Sequence, residues 1–379
     1  MISSFRRYSN DNNGDEMTTQ IQQADPVETE AFAGRVFDSV LGLIDAWSIY
    51  LGEKLGLYDA LAEGPMTRDD LVSQTGTHWR YVTEWLEQQV TTGILEVDDP
   101  KAGHEVRLYS LPPAHREVLC DRDSLSYLAP FVRLVTAGGL QIPALLEVYR
   151  AGGGVPWEQY GADMRTGQAE MNRPWFMNAL GTDWFPMVPD LHERLNVTDA
   201  RVADIGCGEG WSAIAIAQAY PNLTVDGFDI DEASMVAARE HARNAGVSDR
   251  VRFHHIDGSE VLGEGAYDVV TLFECVHDMS HPVDVLTGAR RLVKGDGHVV
   301  VMDEAVGDEF GASSDVERLM YGFSLLVCLP DGMSHGDSVG TGTVMRRSQL
   351  EAYATAAGFS GLEVLPIEND LWRFYTLTQ

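Results

Sequence analysis

The residue types with the clearest chemical capacity lie in two stretches. One is Glu274-Cys275-Val276-His277-Asp278-Met279-Ser280-His281, directly after the apolar run 267–273. His277 has the right ordinary pKa to act as a base near neutral pH. Its place just past a strand is the carboxyl end at which open α/β sheets bind ligands. The other stretch is 202–217, which reads as strand, glycine turn, helix: a short apolar run to Ile205, then Gly206, Gly208 and Gly210, then helical spacing from Trp211. Glycines at such a turn let the backbone bend tightly and come close to a ligand.

The spacing narrows the ligand. Dinucleotide sites use GxGxxG, whereas this turn is GxGxG and is preceded by Asp204. A carboxylate there suits an ammonium group better than a pyrophosphate at a helix N-terminus. Asp229 ends the next apolar run, where a carboxylate can accept the hydroxyls of a ribose. Adenosine joined to an amino acid fits both acids.

On these residues the sequence resembles the class I S-adenosylmethionine-dependent methyltransferases, whose first motif is DxGxGxG and whose second strand ends in an acid. The resemblance implies S-adenosyl-L-methionine as cofactor. It assigns Asp204 to the methionine ammonium, Gly206, Gly208 and Gly210 to the methionine and ribose, Asp229 to the ribose and Asp257 to the adenine amino group. Ile230, Gly258 and Glu274 complete the implied cofactor set. The segment His277-Asp278-Met279 is similar to the HDW-like segment of two-domain small-molecule O-methyltransferases, with Met where Trp is usual. That family implies a winged-helix dimerisation domain, hence a homodimer, and His277 as base. It also implies an orienting acid near the end of the next strand, where Asp303 falls with Glu304 beside it. A second family acid has no counterpart, since Val344 stands at its position. An actinobacterial group of winged-helix methyltransferases is most similar, through 81–86, Asn172-Arg173-Pro174, the HDM segment and 340–345, and covers about residues 31–379.

Composition is consistent with that class. The chain has 379 residues, 44% of them hydrophobic, and a formal charge of -31. Such acidity repels polyanions, so neither nucleic acid nor an anionic membrane is an expected partner. With no run of eighteen apolar residues and no secretory pattern, a cytoplasmic protein is expected. Cys120, Cys207, Cys275 and Cys328 lack metal-ligand spacing and read as reduced thiols, and no metal is expected. The one metal set considered joins His277, His281 and Asp303 with His254, His255 or His335.

The elements that must position these residues follow in order. Residues 1–28 read as a disordered tail. A helix from Ala31 carries Val36, Val40, Ile44, Trp47, Leu51 and Leu55 on one face, a stripe that must be buried inside the chain or against a second copy. Within a domain at 29–123, helical segments at 57–65, 67–75 and 77–92 and strands at 93–97 and 106–108 make a winged helix. Its second helix carries Arg80, Glu84 and Glu87, a poor phosphate-seeking face, which favours a dimerisation scaffold over DNA binding. Residues 124–190 read as a helical linker or lid, interrupted at 152–154. Met164, Phe176, Met177, Met279 and Met333 are candidates to line an apolar substrate pocket, although such side chains also fill cores. From 191 to 379 strands alternate with helices, which predicts a Rossmann-like, mostly parallel sheet; the resemblance sets it at seven strands with the last antiparallel.

The reading is therefore methyl transfer to a small molecule at oxygen, in secondary metabolism. Two alternatives stay open: an enzyme that uses the bound cofactor only as a charge, and a DNA-binding regulator that senses the cofactor.

Overall fold

The computed structural model of the chain describes residues 24–311 and 314–379. Most of the expected tail, 1–23, lies outside the described residues. The first helix, α1 (Pro26–Lys54), starts before Ala31. Asp25 is the reason: its Oδ1 accepts the Val27 N–H at 2.8 Å and Pro26 sits at the first helical position, a capping pattern within residues read as tail. Residues from Ala46 onward form one compact unit, and the described residues up to Asp45 fall in another. In the larger unit, Trp47, Leu51 and Leu55 of the apolar stripe are each about half exposed.

Next come α2 (Leu57–Ala62), α3 (Arg68–Thr75) and α4 (Trp79–Thr91), then a two-stranded antiparallel wing, β1 (Glu96–Val97) and β2 (Tyr109–Ser110). Thr67 caps α3 by accepting the Asp70 N–H, and Gly76 ends it at a φ of 67°. The wing returns at Tyr109–Ser110 and not at 106–108. Asp98 accepts the Leu108 N–H side-on and the Val106 N–H turns back to Gly103, so these residues form the wing tip. Buried Leu57, Leu61, Leu71, Leu86 and Tyr109 make the core of this winged helix.

The helical stretch contains α5 (Pro113–Cys120), α6 (Ala129–Leu140), α7 (Ile142–Ala151) and α8 (Trp157–Trp175). A π-helical segment, Phe176–Trp184, continues α8, and α9 (Pro189–Leu195) leads into the sheet domain. Among the described residues no single helix is long and apolar enough to cross a membrane; α6 and α7 reach the length only as a pair bent by 53°.

The sheet domain alternates β3 (Arg201–Ile205), α10 (Trp211–Ala219), β4 (Thr224–Asp229), α11 (Glu232–Asn244), β5 (Val251–His255), β6 (Tyr267–Phe273), α12 (Pro282–Leu292) and β7 (Val293–Glu304). It closes with α13 (Asp315–Phe323), a second π-helical segment (Ser324–Cys328), α14 (Leu329–Gly332), α15 (Arg347–Ala356), β8 (Gly361–Val364) and β9 (Trp372–Thr378). The seven strands lie in the order β5-β4-β3-β6-β7-β9-β8, and β9 runs antiparallel to both its neighbours, as the resemblance implies. Alternate residues of one strand feed two cores: Val202 faces the cluster with Leu180, Ile214 and Phe374, while Ala203 and Ile205 face the cluster with Leu286, Leu292 and Leu350. A sheet buried on both faces has its free ends only at its edges and strand termini, so the ligand site forms at the carboxyl ends.

Candidate functional site

The glycine turn sits at the end of β3. Gly206, Gly208 and Gly210 have φ of 69°, 50° and 84°. A Cβ on Gly206 would lie 2.7 Å from Cys275 Cβ, and one on Gly210 would lie 2.4 Å from the Phe253 ring. A Cβ on Gly208 would meet nothing within 4 Å. The first and third glycines are thus needed for packing, while the second borders the open space in which a ligand would sit.

Asp204 is the penultimate residue of β3. It is buried, and its two oxygens accept Ser212 Oγ–H at 2.5 Å and Thr271 Oγ1–H at 2.6 Å. Burial lifts its carboxyl to about 6, against the pull of those two hydroxyls. In this arrangement Asp204 braces the turn against α10 and β6. Asp229, at the end of β4, accepts the Gly208 N–H at 2.9 Å and the Asp231 N–H at 2.8 Å, so it fixes the tip of the turn and keeps lone pairs for a ribose. Ile230 beside it is 59% exposed, an apolar side chain left bare where an adenine would stack. Asp257 accepts the Ser259 N–H and hydroxyl, and Gly258 is buried against Ile205. These residues fit S-adenosylmethionine: open space over Gly208, a carboxylate for the ribose, and an acidic surround for a sulfonium.

Beyond β6 the chain turns sharply. Glu274 adopts a φ of 49°, rare for a side chain with a Cβ. Its carboxylate accepts from Asn172 Nδ2 and, at 2.6 Å, from Trp372 Nε1. Both oxygens are therefore engaged by α8 and β9, and Glu274 ties those elements to the strand end. Burial raises its carboxyl to about 7.

His277 follows in a single 3-10 turn, Val276–Asp278, and is 3% exposed. Its Nδ1 lies 2.9 Å from Asp303 Oδ1, which also accepts the Glu304 N–H at 3.0 Å. Its Nε2 lies 3.1 Å from Asp278 Oδ1. Burial alone would lower the imidazole pKa, but the carboxylates of Asp278 and Asp303 outweigh it and raise the pKa well above its ordinary value. Glu304 points elsewhere, as the alternation along β7 demands. Burial and the nearby Glu274 carboxylate hold it well above the ordinary range, and its Oε2 has no hydrogen-bond partner among the described residues.

Two expectations need correction. Glu304 does not hydrogen-bond His277; the second carboxylate on the imidazole comes from Asp278, because the 3-10 turn folds the adjacent residue back onto the ring. Met164 and Phe176 are core side chains: Met164 packs with Leu134, Leu145 and Tyr160, and the Phe176 ring lies tilted against Phe273 with ring centroids 5.8 Å apart. Met177 and Met279 pack against the two faces of the sheet core, and Met333 Sδ lies close over Gly340. The histidines weighed as further metal ligands do not converge either. His254 pairs with Asp226, His255 with the Ile230 carbonyl, and His281 with exposed Asp337. Asn172, Trp372 and Cys328 escaped notice as site residues; Asn172 lay in a segment that carried the resemblance, and the other two gave no local signal.

Comparison with known proteins points to the same family and cofactor. Residues 203–299 match the family described as methyltransferase domain, and residues 45–121 match the Rv2258c-like winged HTH domain. A ubiquinone biosynthesis O-methyltransferase of Pseudomonas savastanoi pv. phaseolicola is 32% identical over 211 residues, covering 53% of this chain and 80% of that one. The chain belongs to the S-adenosylmethionine-dependent O-methyltransferase family. A counterpart from Pseudomonas aeruginosa strain UCBPP-PA14 is 34% identical over 125 residues, 32% of this chain, and the chain spans only 50% of that relative's length. The solved structure of mitomycin 7-O-methyltransferase superposes with a TM-score of 0.68 at 20% identity over 93% of this chain and 99% of that one, a likeness of fold. The cofactor of this family is S-adenosylmethionine, in agreement with the fit of the glycine turn.

Proposed function

We propose that the protein transfers a methyl group to a hydroxyl oxygen of a small natural-product-like molecule, with His277 as the base. The observation that supports this most directly is the buried imidazole whose Nδ1 is 2.9 Å from Asp303, at the carboxyl ends of the strands beside the glycine turn. The cofactor supplies an activated methyl on a good leaving group. The chain's own residues do the rest. Asp303 accepts the Nδ1–H and thereby fixes the tautomer with the lone pair on Nε2. Nε2 then takes the hydroxyl proton as the oxygen attacks, and the carboxylates of Asp303 and Asp278 stabilise the imidazolium that forms. Burial of His277 excludes competing water.

A homodimeric, cytoplasmic enzyme of secondary metabolism is part of the same proposal. The half-exposed Trp47, Leu51 and Leu55 support a second copy over burial within the compact unit, and four unpaired thiols suit a reducing compartment. The regulator reading is disfavoured because on α4 the only basic side chain, Arg80, is paired with Glu84. Incubation with methyl-labelled cofactor and a metabolite extract, with His277→Ala and Asp229→Ala as controls, tests the reaction. Label in an extractable small molecule that vanishes in both variants is the expected outcome. Transfer that persists in His277→Ala overturns the base assignment, and intact cofactor binding without any transfer points to use of the cofactor as a charge.

A further inference from the structure

On the far side of the His277 ring from Asp303 lies an arrangement that proton abstraction does not explain. His277 Nε2, an oxygen of Asp278 and Cys328 Sγ bring three donor atoms together, all within 4.8 Å of one another. The Asp278 Oδ1 that stands 3.1 Å from Nε2 is buried and has no hydrogen-bond partner among the described residues. Donors around a tetrahedral zinc ion stand roughly 3.3–3.5 Å apart, from bonds of about 2.0 Å to nitrogen and oxygen and about 2.3 Å to sulfur. The nitrogen–oxygen edge is therefore close to that spacing already, and the sulfur closes the triangle by moving on the order of 1 Å.

We propose that His277, Asp278 and Cys328 bind one divalent transition-metal ion of the zinc class, and that this ion competes with methyl transfer for His277; the second clause rests on the base reading above.

The surroundings favour a site over a chance cluster. Asp303 holds the Nδ1 side of the ring, which leaves the Nε2 lone pair directed outward, as the outer carboxylate does for histidines that ligate metals. The ligands come from two elements, the 3-10 turn and the end of the π-helical segment Ser324–Cys328, and the chain that follows the π-helical segment, at α14 and Gly342, is tied to the turn and to the residues after it. The Gly342 N–H donates to the His277 carbonyl at 3.1 Å, and Ser280 Oγ donates to the Gly332 carbonyl at 2.6 Å. One imidazole, one carboxylate and one thiolate suit zinc or cobalt; magnesium and calcium prefer all-oxygen sets. Three protein ligands leave a fourth position for water. When the ion binds, the Cys328 thiol and the Nε2 of the His277 imidazolium each lose a proton to solvent, and the Nε2 lone pair so freed enters the metal bond. With that lone pair engaged, His277 can no longer take a substrate proton, so the bound ion is an inhibitor.

The test uses the untagged full chain, freed of metal and titrated with cobalt(II) and with zinc. The expected result is one ion per chain, a thiolate-to-cobalt charge-transfer band with tetrahedral ligand-field bands, and weakening of at least about tenfold in Cys328→Ser. Asp278→Asn is the second variant, expected to weaken binding while retaining the thiolate band. Zinc is expected to block methyl transfer by the wild type and a chelator to restore it, while Cys328→Ser, whatever its own zinc-free rate, keeps that rate when zinc is added. Failure to take up one ion, or uptake indifferent to Cys328→Ser, overturns the site. Full turnover at saturating zinc overturns the competition. The binding measurements need no turnover, so a chain that takes the ion and methylates nothing refutes the base reading and leaves the site standing.

Discussion

His277 must be neutral on Nε2 to accept a proton, and its raised pKa means that the neutral fraction grows only at elevated pH. The rising limb of methyl transfer against pH is therefore expected on the alkaline side of the ordinary histidine value. Asp278→Asn removes one of the two carboxylates that hold the proton on, so the limb moves toward acid; a pH profile that does not move contradicts the assignment. The glycines separate function from packing in the same way. Gly208→Ala costs about 1–2 kcal/mol for its left-handed backbone but clashes with nothing, so it folds and loses cofactor affinity. Gly210→Ala drives a methyl into Phe253 and is expected to lower thermal stability more than Gly208→Ala. Melting curves read beside cofactor titration distinguish the two.

At the scale of elements, Glu274 links three of them: the end of β6, α8 through Asn172 and β9 through Trp372. Its carboxyl is raised to about 7 by burial, so the folded chain binds a proton there that the unfolded chain has lost. Stability from this group is fully present below the ordinary glutamate value and is lost as pH rises toward about 7. Glu304, raised well above its ordinary value, acts in the same direction. Melting temperature is expected to fall between about pH 5 and about pH 8, and Glu274→Gln, which keeps a hydrogen-bonding group but cannot ionise, to flatten that slope. An unchanged slope removes Glu274 as its source. The π-helical segment after α8 packs on α10, and Leu180 within it is fully buried. Leu180→Ala is expected to cost about 2–5 kcal/mol in chemical denaturation, with little change in cofactor affinity per folded molecule.

For the whole molecule, the exposed stripe at Trp47, Leu51 and Leu55 makes association the testable property. Light scattering is expected to give twice the chain mass, and charged replacements at Trp47 and Leu51 to give the monomer; a monomer mass for the unaltered chain refutes the dimer.

The sequence by itself determined the alternating order of strands and helices, because apolar periodicity and turn residues are local, and α11 and β6 were legible to the residue. It also determined the cofactor turn, since Asp204, the three glycines and Asp229 are held within one strand–helix–strand unit. Boundaries were less legible where one side chain decides them, as Asp25 does for α1 and Asp98 for the wing. What only the tertiary structure decided is which polar groups share a buried space. Asp278 stands next to His277 in the chain, yet a turn was needed to fold its carboxylate onto the ring. Cys328 and Trp372 reach the site from elements far along the chain. Asp204 also braces the turn, because Ser212 and Thr271 donate to its oxygens. Met164 and Phe176 went to the core, because long-range packing and not residue type decides whether an apolar side chain meets a ligand or another side chain.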